Sequence, residues 1–131
     1  TLLFFAGPQR SNIVALATRD GSLLWQRRDG NRLLVLREDG IYYAGAGRGA
    51  KMDYQGNELA VLPGRRSCTR ATGSIDSLFY RAPEGTAHIV IDGGTIRTQH
   101  IAPMRPSCQD GVIIAGGMLY WSSWMCACWL S

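Results

Sequence analysis

The chain has 131 residues, of which 46% are apolar and 18% charged, and it carries a formal net charge of +4. That length suits one domain or part of one, and that balance excludes a disordered or low-complexity chain. The positive charge is scattered over Arg10, Arg19, Arg27, Arg28, Arg32, Arg37 and Arg48, and only Arg27-Arg28 and Arg65-Arg66 form short clusters. A nucleic-acid binder concentrates its charge on a stripe or helix, so no nucleic-acid partner is expected.

Residues 2–6 read as a short buried strand, and Gly7-Pro8-Gln9-Arg10-Ser11-Asn12 as a loop of turn formers. Ile13–Ala17 and Leu23–Trp25 are strands joined across Arg19-Asp20-Gly21-Ser22, because Asp-Gly supplies the positive φ of a tight turn. Arg28-Asp29-Gly30-Asn31 turns the chain again into Leu33–Leu36. Ile41–Ala44 is the next strand, followed by a Gly-rich loop at 45–49, a strand at Ala50–Tyr54, a turn at Gln55-Gly56-Asn57 and a return strand at Glu58–Leu62. Further on, His88-Ile89-Val90-Ile91 has the β-branched, apolar character of a strand buried on both faces, with Asp92-Gly93-Gly94 as its turn. Val112–Ala115 and Met118–Trp121 flank Gly116-Gly117 and close the sequence of strands.

The chain resembles itself. Ile41-Tyr42-Tyr43-Ala44-Gly45 aligns with Leu3-Phe4-Phe5-Ala6-Gly7, which lies 38 positions earlier, and with Leu78-Phe79-Tyr80-Arg81, 37 positions later. Met118-Leu119-Tyr120-Trp121 follows after another 40. Sequence periods of this size mark solenoids, propellers and arrays. About four short strands in each period match the blade of a β-propeller, which needs a neighbour on each side to cover it. A β-sandwich also has short strands, but not in groups of four at constant offset. The expected fold is therefore all-β: a partial β-propeller of about three four-stranded antiparallel blades. The approximate repeats are 1–36, 37–74 and 75–114, with 115–131 as part of a further blade. The chain has no start Met and begins on a strand, so it reads as a piece of a larger protein whose remaining blades lie elsewhere in the same chain.

Ala15-Leu16-Ala17-Thr18-Arg19-Asp20-Gly21-Ser22-Leu23-Leu24-Trp25 resembles the blade-ending repeat of the pyrroloquinoline-quinone-type (PQQ-like) propellers. Ala17 stands where that family prefers Asp, and Asp20-Gly21 replaces its Thr-Gly. Met52-Asp53-Tyr54-Gln55-Gly56-Asn57 keeps the Asp and Gly without the Trp. Cys68–Ser74, Met104–Cys108 and Leu119–Cys128 are similar to the terminal blades of large bacterial members. The resemblance implies a non-catalytic binding or scaffolding surface in an extracytoplasmic protein, periplasmic or extracellular. A protein or small-molecule ligand would sit on the propeller axis or face. The alternative it implies is a quinoprotein dehydrogenase acting on an alcohol or sugar, with PQQ and calcium on the axis. The close cysteines here are Cys126-Ala127-Cys128 rather than the adjacent pair that stacks the quinone, and neither histidine follows a haem-attachment motif. No cofactor is therefore expected under the first reading.

Three arginines, Arg28, Arg65 and Arg105, fall at equivalent repeat positions. Guanidinium forks bind carboxylates and phosphates, so these three are candidates for an anion or ligand site; the competing reading pairs each with a nearby carboxylate or carbonyl. Cys68, Cys108, Cys126 and Cys128 are candidate disulfide formers in a secreted chain, and two of their three possible pairings avoid a Cys126–Cys128 bridge. One close cysteine pair does not make a zinc site, so no metal is expected there. Asp39, Asp76 and Asp110 are the candidate calcium ligands, each from a different repeat. His88 and His100 have no Asp or Ser at a diagnostic spacing and read as hydrogen-bonded strand residues. Gly45-Ala46-Gly47-Arg48-Gly49 imitates a phosphate loop, but no helix pattern follows it. Trp121, Trp124 and Trp129 read as packing residues, or as a wall for a flat ligand. No catalytic constellation emerges.

Overall fold

The computed structural model describes residues 2–6 (backbone), 12–28, 34–66, 69–101, 104–107 and 111–121. These form thirteen strands and no helix. Among the described residues, then, no helix is long and apolar enough to cross a membrane. The chain divides into two compact units, residues 1–62 and 63–131.

The first unit contains a three-stranded antiparallel sheet of β1 (Leu2–Ala6), β2 (Asn12–Leu16) and β3 (Leu23–Arg27), in that order. Its four-stranded sheet runs β4 (Leu34–Arg37), β5 (Gly40–Ala44), β6 (Arg48–Met52) and β7 (Glu58–Pro63). Side chains alternate between sheet faces, so Ile41 and Tyr43 of β5 share a face with their partners Met52 and Ala50 of β6. That face packs with Ile13 of β2 into the apolar core, against which Trp25 and Leu34 are laid. The opposite face of β5 is also covered, which is why its five residues are all buried. Trp25 fixes the turn after β6: its indole N–H donates to the Tyr54 carbonyl at 3.0 Å. The ring leaves no room at Gly56, where a Cβ would come within 2.9 Å of it.

In the second unit β8 (Thr72–Gly73), β9 (Ser77–Ala82), β10 (Gly85–Asp92) and β11 (Thr95–Ile101) form another four-stranded antiparallel meander. β12 (Val112–Ala115) and β13 (Met118–Trp121) make a two-stranded hairpin around Gly116-Gly117. The repeated segments at 41–44 and 78–81 occupy the second strand of their respective meanders, β5 and β9. Both are almost wholly buried, and inner strands need apolar side chains on both faces. The internal similarity thus marks the strand that each meander covers most completely.

The described residues are all-β, in four separate antiparallel sheets of two to four strands, and the expected propeller is not what these sheets make. Among the described residues none of them is closed or curled. The physical reason for the discrepancy is that a period specifies the repeating sheet, whereas a ring of blades also requires the sheets to close around an axis. Sheet membership also joins Leu34–Arg37 to β5–β7, across the repeat boundary expected at residue 36.

Candidate functional site

Two of the three candidate arginines belong to the second unit, and the hydrogen bonds there draw their segments to one place. The Arg66 amide donates to the Arg81 carbonyl at 2.8 Å. Arg81 is the direct cross-strand partner of Thr86, and the Thr86 hydroxyl donates to the Met104 carbonyl at 2.8 Å. The chain at 65–66, the β9–β10 hairpin and the chain at 104–105 therefore converge. Arg65 is 6% exposed and Arg81 only 1%, while Arg105 is half-buried. The segments are tied again further along, where the Thr69 hydroxyl donates to the Ser107 carbonyl at 3.3 Å. A Cβ on Gly111, which has φ +67, would meet the Arg70 carbonyl at 2.8 Å. Arg28 lies in the first unit and is exposed.

Arg81 was absent from the candidate residues. It is the largest fully buried side chain described, yet it sits in the apolar run Leu78-Phe79-Tyr80-Arg81-Ala82. A charge at an inward position of a buried strand is the signal that could have found it, because burying a guanidinium is costly unless it is satisfied. The burial of Arg81 also shows a preference seen across the chain. Lys51 is the only lysine among fourteen basic residues, and Arg is the cation that presents a planar fork of five donors.

His88 has closer neighbours than its sequence spacing suggested. Its Nε2 is 3.0 Å from the Ser77 hydroxyl, its ring stacks on Phe79 at 4.4 Å between centroids, and Gln99 hydrogen-bonds it. The hairpin register places Ser77, Phe79 and His88 on one face, which no linear spacing rule detects. The Ser77 hydroxyl donates to Asp76, as does Ser74, and together these bonds outweigh burial and lower the Asp76 carboxyl. Ser77 has one proton, and a carboxylate is the stronger acceptor. Which of His88 Nε2 and the Ser77 hydroxyl donates is set by the tautomer of the ring. Burial lowers the pKa of His88, with the Asp76 charge and the Gln99 bond opposing in part, which favours the neutral ring. His100 lies 3.8 Å from Glu84 at the other end of the sheet.

In the first unit Asp39 accepts from Lys51 Nζ at 2.7 Å, from the Tyr42 hydroxyl at 2.6 Å and from Arg37 Nε at 3.0 Å. Lys51 and Arg37 also lie over the Tyr42 ring, at 5.4 and 5.9 Å from its centroid. Partial burial alone would raise the Asp39 pKa. The bonds from Lys51, Tyr42 and Arg37 outweigh it and hold the carboxyl far below its usual range. Burial first, and then the Asp39 bond and charge, push the Tyr42 phenol well above its ordinary value. Three donors thus meet on the one carboxylate.

No group of three or more acidic, His or Cys side chains suited to a metal occurs among the described residues. Of the candidate calcium ligands, Asp39 and Asp76 belong to different units, and Asp110 lies outside the described residues. So do Cys68, Cys108, Cys126 and Cys128, together with Trp124 and Trp129. The imitation phosphate loop at 45–49 leads directly into β6 and precedes no helix.

No protein-family model matches the chain, and no curated protein is significantly similar to it. The resemblance to PQQ-like propellers is corrected accordingly: its motifs were partial, and neither a family match nor a closed or curled sheet supports them. The scaffold and quinoprotein dehydrogenase readings rested on that resemblance and fall with it.

Proposed function

We propose that the chain is a ligand-binding β module that recognises an anionic group through Arg65, Arg81 and Arg105 of the second unit. The observation that carries this reading is the convergence of the 65–66, 81–86 and 104–105 segments through the Arg66–Arg81 and Thr86–Met104 hydrogen bonds. Arg65 and Arg81 are buried and Arg105 is half-buried. A carboxylate or phosphate takes two N–H donors of a guanidinium at once. Partial desolvation strengthens such charge-assisted bonds relative to the same bonds in water. The partner is accordingly a small anion or an acidic or phosphorylated group on a larger molecule, and the proposal includes no catalytic step.

Inorganic phosphate titrated into the full chain by calorimetry tests this. Binding is expected, with affinity falling about tenfold in Arg105→Gln, the size of a lost hydrogen bond to a charged group. Arg28→Gln, in the first unit, is expected to leave binding unchanged. Equal affinities in the wild type and Arg105→Gln, with both proteins folded by circular dichroism, would overturn the proposal.

A further inference from the structure

The hairpin of β12 and β13 is apolar on both faces, and residues 111–121 include no charged side chain. Ile113 faces Tyr120 across the pair and Ala115 faces Met118, so these four share one face of the hairpin. Ile113 is 48% exposed, Met118 57% and Tyr120 45%. Tyr42 and Phe79, which like Tyr120 are the third residues of their strands, are buried. The base of the hairpin is fixed: Val112 is buried, and the Trp121 indole N–H donates to the Thr86 hydroxyl oxygen at 3.2 Å. The tip stands clear of the other described residues, since residues 115–118 are all exposed and a Cβ on Gly116 or Gly117 would meet nothing within 4 Å. Arg70, also exposed, lies beside the base, where a Cβ on Gly111 would come within 2.8 Å of its carbonyl oxygen.

We propose that this tip enters the surface of a lipid bilayer carrying anionic headgroups, with Ile113, Met118 and Tyr120 at the boundary of the acyl chains and Arg70 at the level of the phosphates. Interfacial binding grows with buried apolar area and with attraction to anionic lipid. The hairpin offers the first, and Arg70 with the net charge of +4 offers the second. A projecting apolar tip suits a fluid surface that closes around it, whereas a protein partner would have to bring a groove of matching shape. Each strand has four residues, and at ~3.3 Å per residue the hairpin reaches about 13 Å, well short of the ~30 Å hydrocarbon core. It therefore enters one leaflet and spans nothing. Unpaired strand-edge groups are costly in hydrocarbon, so insertion stops at the interface, where water and headgroups satisfy them, and tyrosine favours that depth. The contact uses none of Arg65, Arg81 and Arg105 and stands apart from the anion site.

Flotation of the full chain with vesicles of phosphatidylcholine and phosphatidylserine tests this. Binding is expected, and Arg70→Gln should weaken it about fivefold, the effect of one cation near an anionic surface. Met118→Asp should weaken it at least about tenfold, because an apolar side chain is lost and a charge must enter the bilayer. Ile113→Asp, on the opposite strand of the same face, should do likewise, and both positions are exposed, so the core is spared. Leu59→Asp changes a comparably exposed apolar residue of β7 in the first unit and should leave binding unchanged. A wild type that does not float with these vesicles overturns the proposal. So does undiminished binding by Met118→Asp and Ile113→Asp, or an equal loss in Leu59→Asp. Sedimentation velocity without vesicles examines the other occupant: concentration-dependent self-association that Met118→Asp abolishes would make this face a contact between copies and overturn the lipid reading.

Discussion

Asp39 shows how a single carboxylate can organise one end of a sheet. Lys51 lies directly opposite Tyr42 across the β5–β6 pair, so its ammonium and the phenol reach the same acceptor, two residues before Ile41. The Lys51 side chain is 7% exposed and that of Asp39 is 36% exposed, so the pair is shielded on one side only. Asp39→Asn would leave a buried ammonium facing a neutral amide, and the expected loss is about 1–2 kcal/mol. That is below the cost of breaking a fully buried pair, because water screens the exposed part of the carboxylate. Urea denaturation at neutral pH measures it. A loss near zero would mean that Lys51 finds another acceptor on this face.

At the level of the strand, turns were legible and cross-strand chemistry was not. Asp20-Gly21, Gln55-Gly56-Asn57, Asp92-Gly93-Gly94 and Gly116-Gly117 all reverse the chain where their composition says they should, and glycines at each take positive φ. Turn residues act locally, so sequence exposes them. The Ser77–His88 contact and the Arg81–Thr86 pairing depend on register, which is set only once the hairpin of β9 and β10 closes around Pro83-Glu84. β8 has two residues and too little pattern to be read. The arrangement of sheets was the least legible of all, because repeating strands say nothing about how their sheets are assembled. Gly40 and Gly93 separate two kinds of glycine requirement. Gly40 has φ +139, and a Cβ there would overlap the Met52 carbonyl oxygen of the neighbouring strand and press on Lys51 Cε at 3.3 Å. Gly93 has φ +53 with open space around it. Gly40→Ala is expected to cost about 3 kcal/mol, strain and overlap together. Gly93→Ala should cost about 1 kcal/mol, from backbone conformation alone. Thermal melts of the two variants check the order, and equal losses would show that the β5–β6 pair can separate at Gly40 without penalty.

For the molecule as a whole, acid should act on the two units in turn. His88 belongs to the second unit, and burial lowers its pKa from the ordinary 6.5. Above 6.5 the ring is neutral in both folded and unfolded chains and costs nothing. As pH falls below 6.5 the unfolded chain takes up the proton first, so the stability of the folded unit declines until the folded ring also protonates. Asp39 belongs to the first unit, and its folded pKa lies far below 3.8. Its contribution is complete well above 3.8 and is lost as pH drops through that value toward the folded pKa. Stability measured by urea denaturation from pH 7.5 to 3 should therefore fall in two stages, one beginning just below pH 6.5 and the other near pH 4. His88→Gln keeps a hydrogen-bonding side chain for Ser77 but cannot titrate, so it should remove the first stage and spare the second. Asp39→Asn should reduce the second, leaving the share of Asp20, Asp53 and Asp76, and spare the first. A single acid transition unchanged by either substitution would mean that these two residues do not govern how the chain responds to pH. The distribution of charge makes the second stage the steeper one: ten carboxylates balance fourteen basic residues, so each proton gained there adds to an existing positive excess that unfolding relieves.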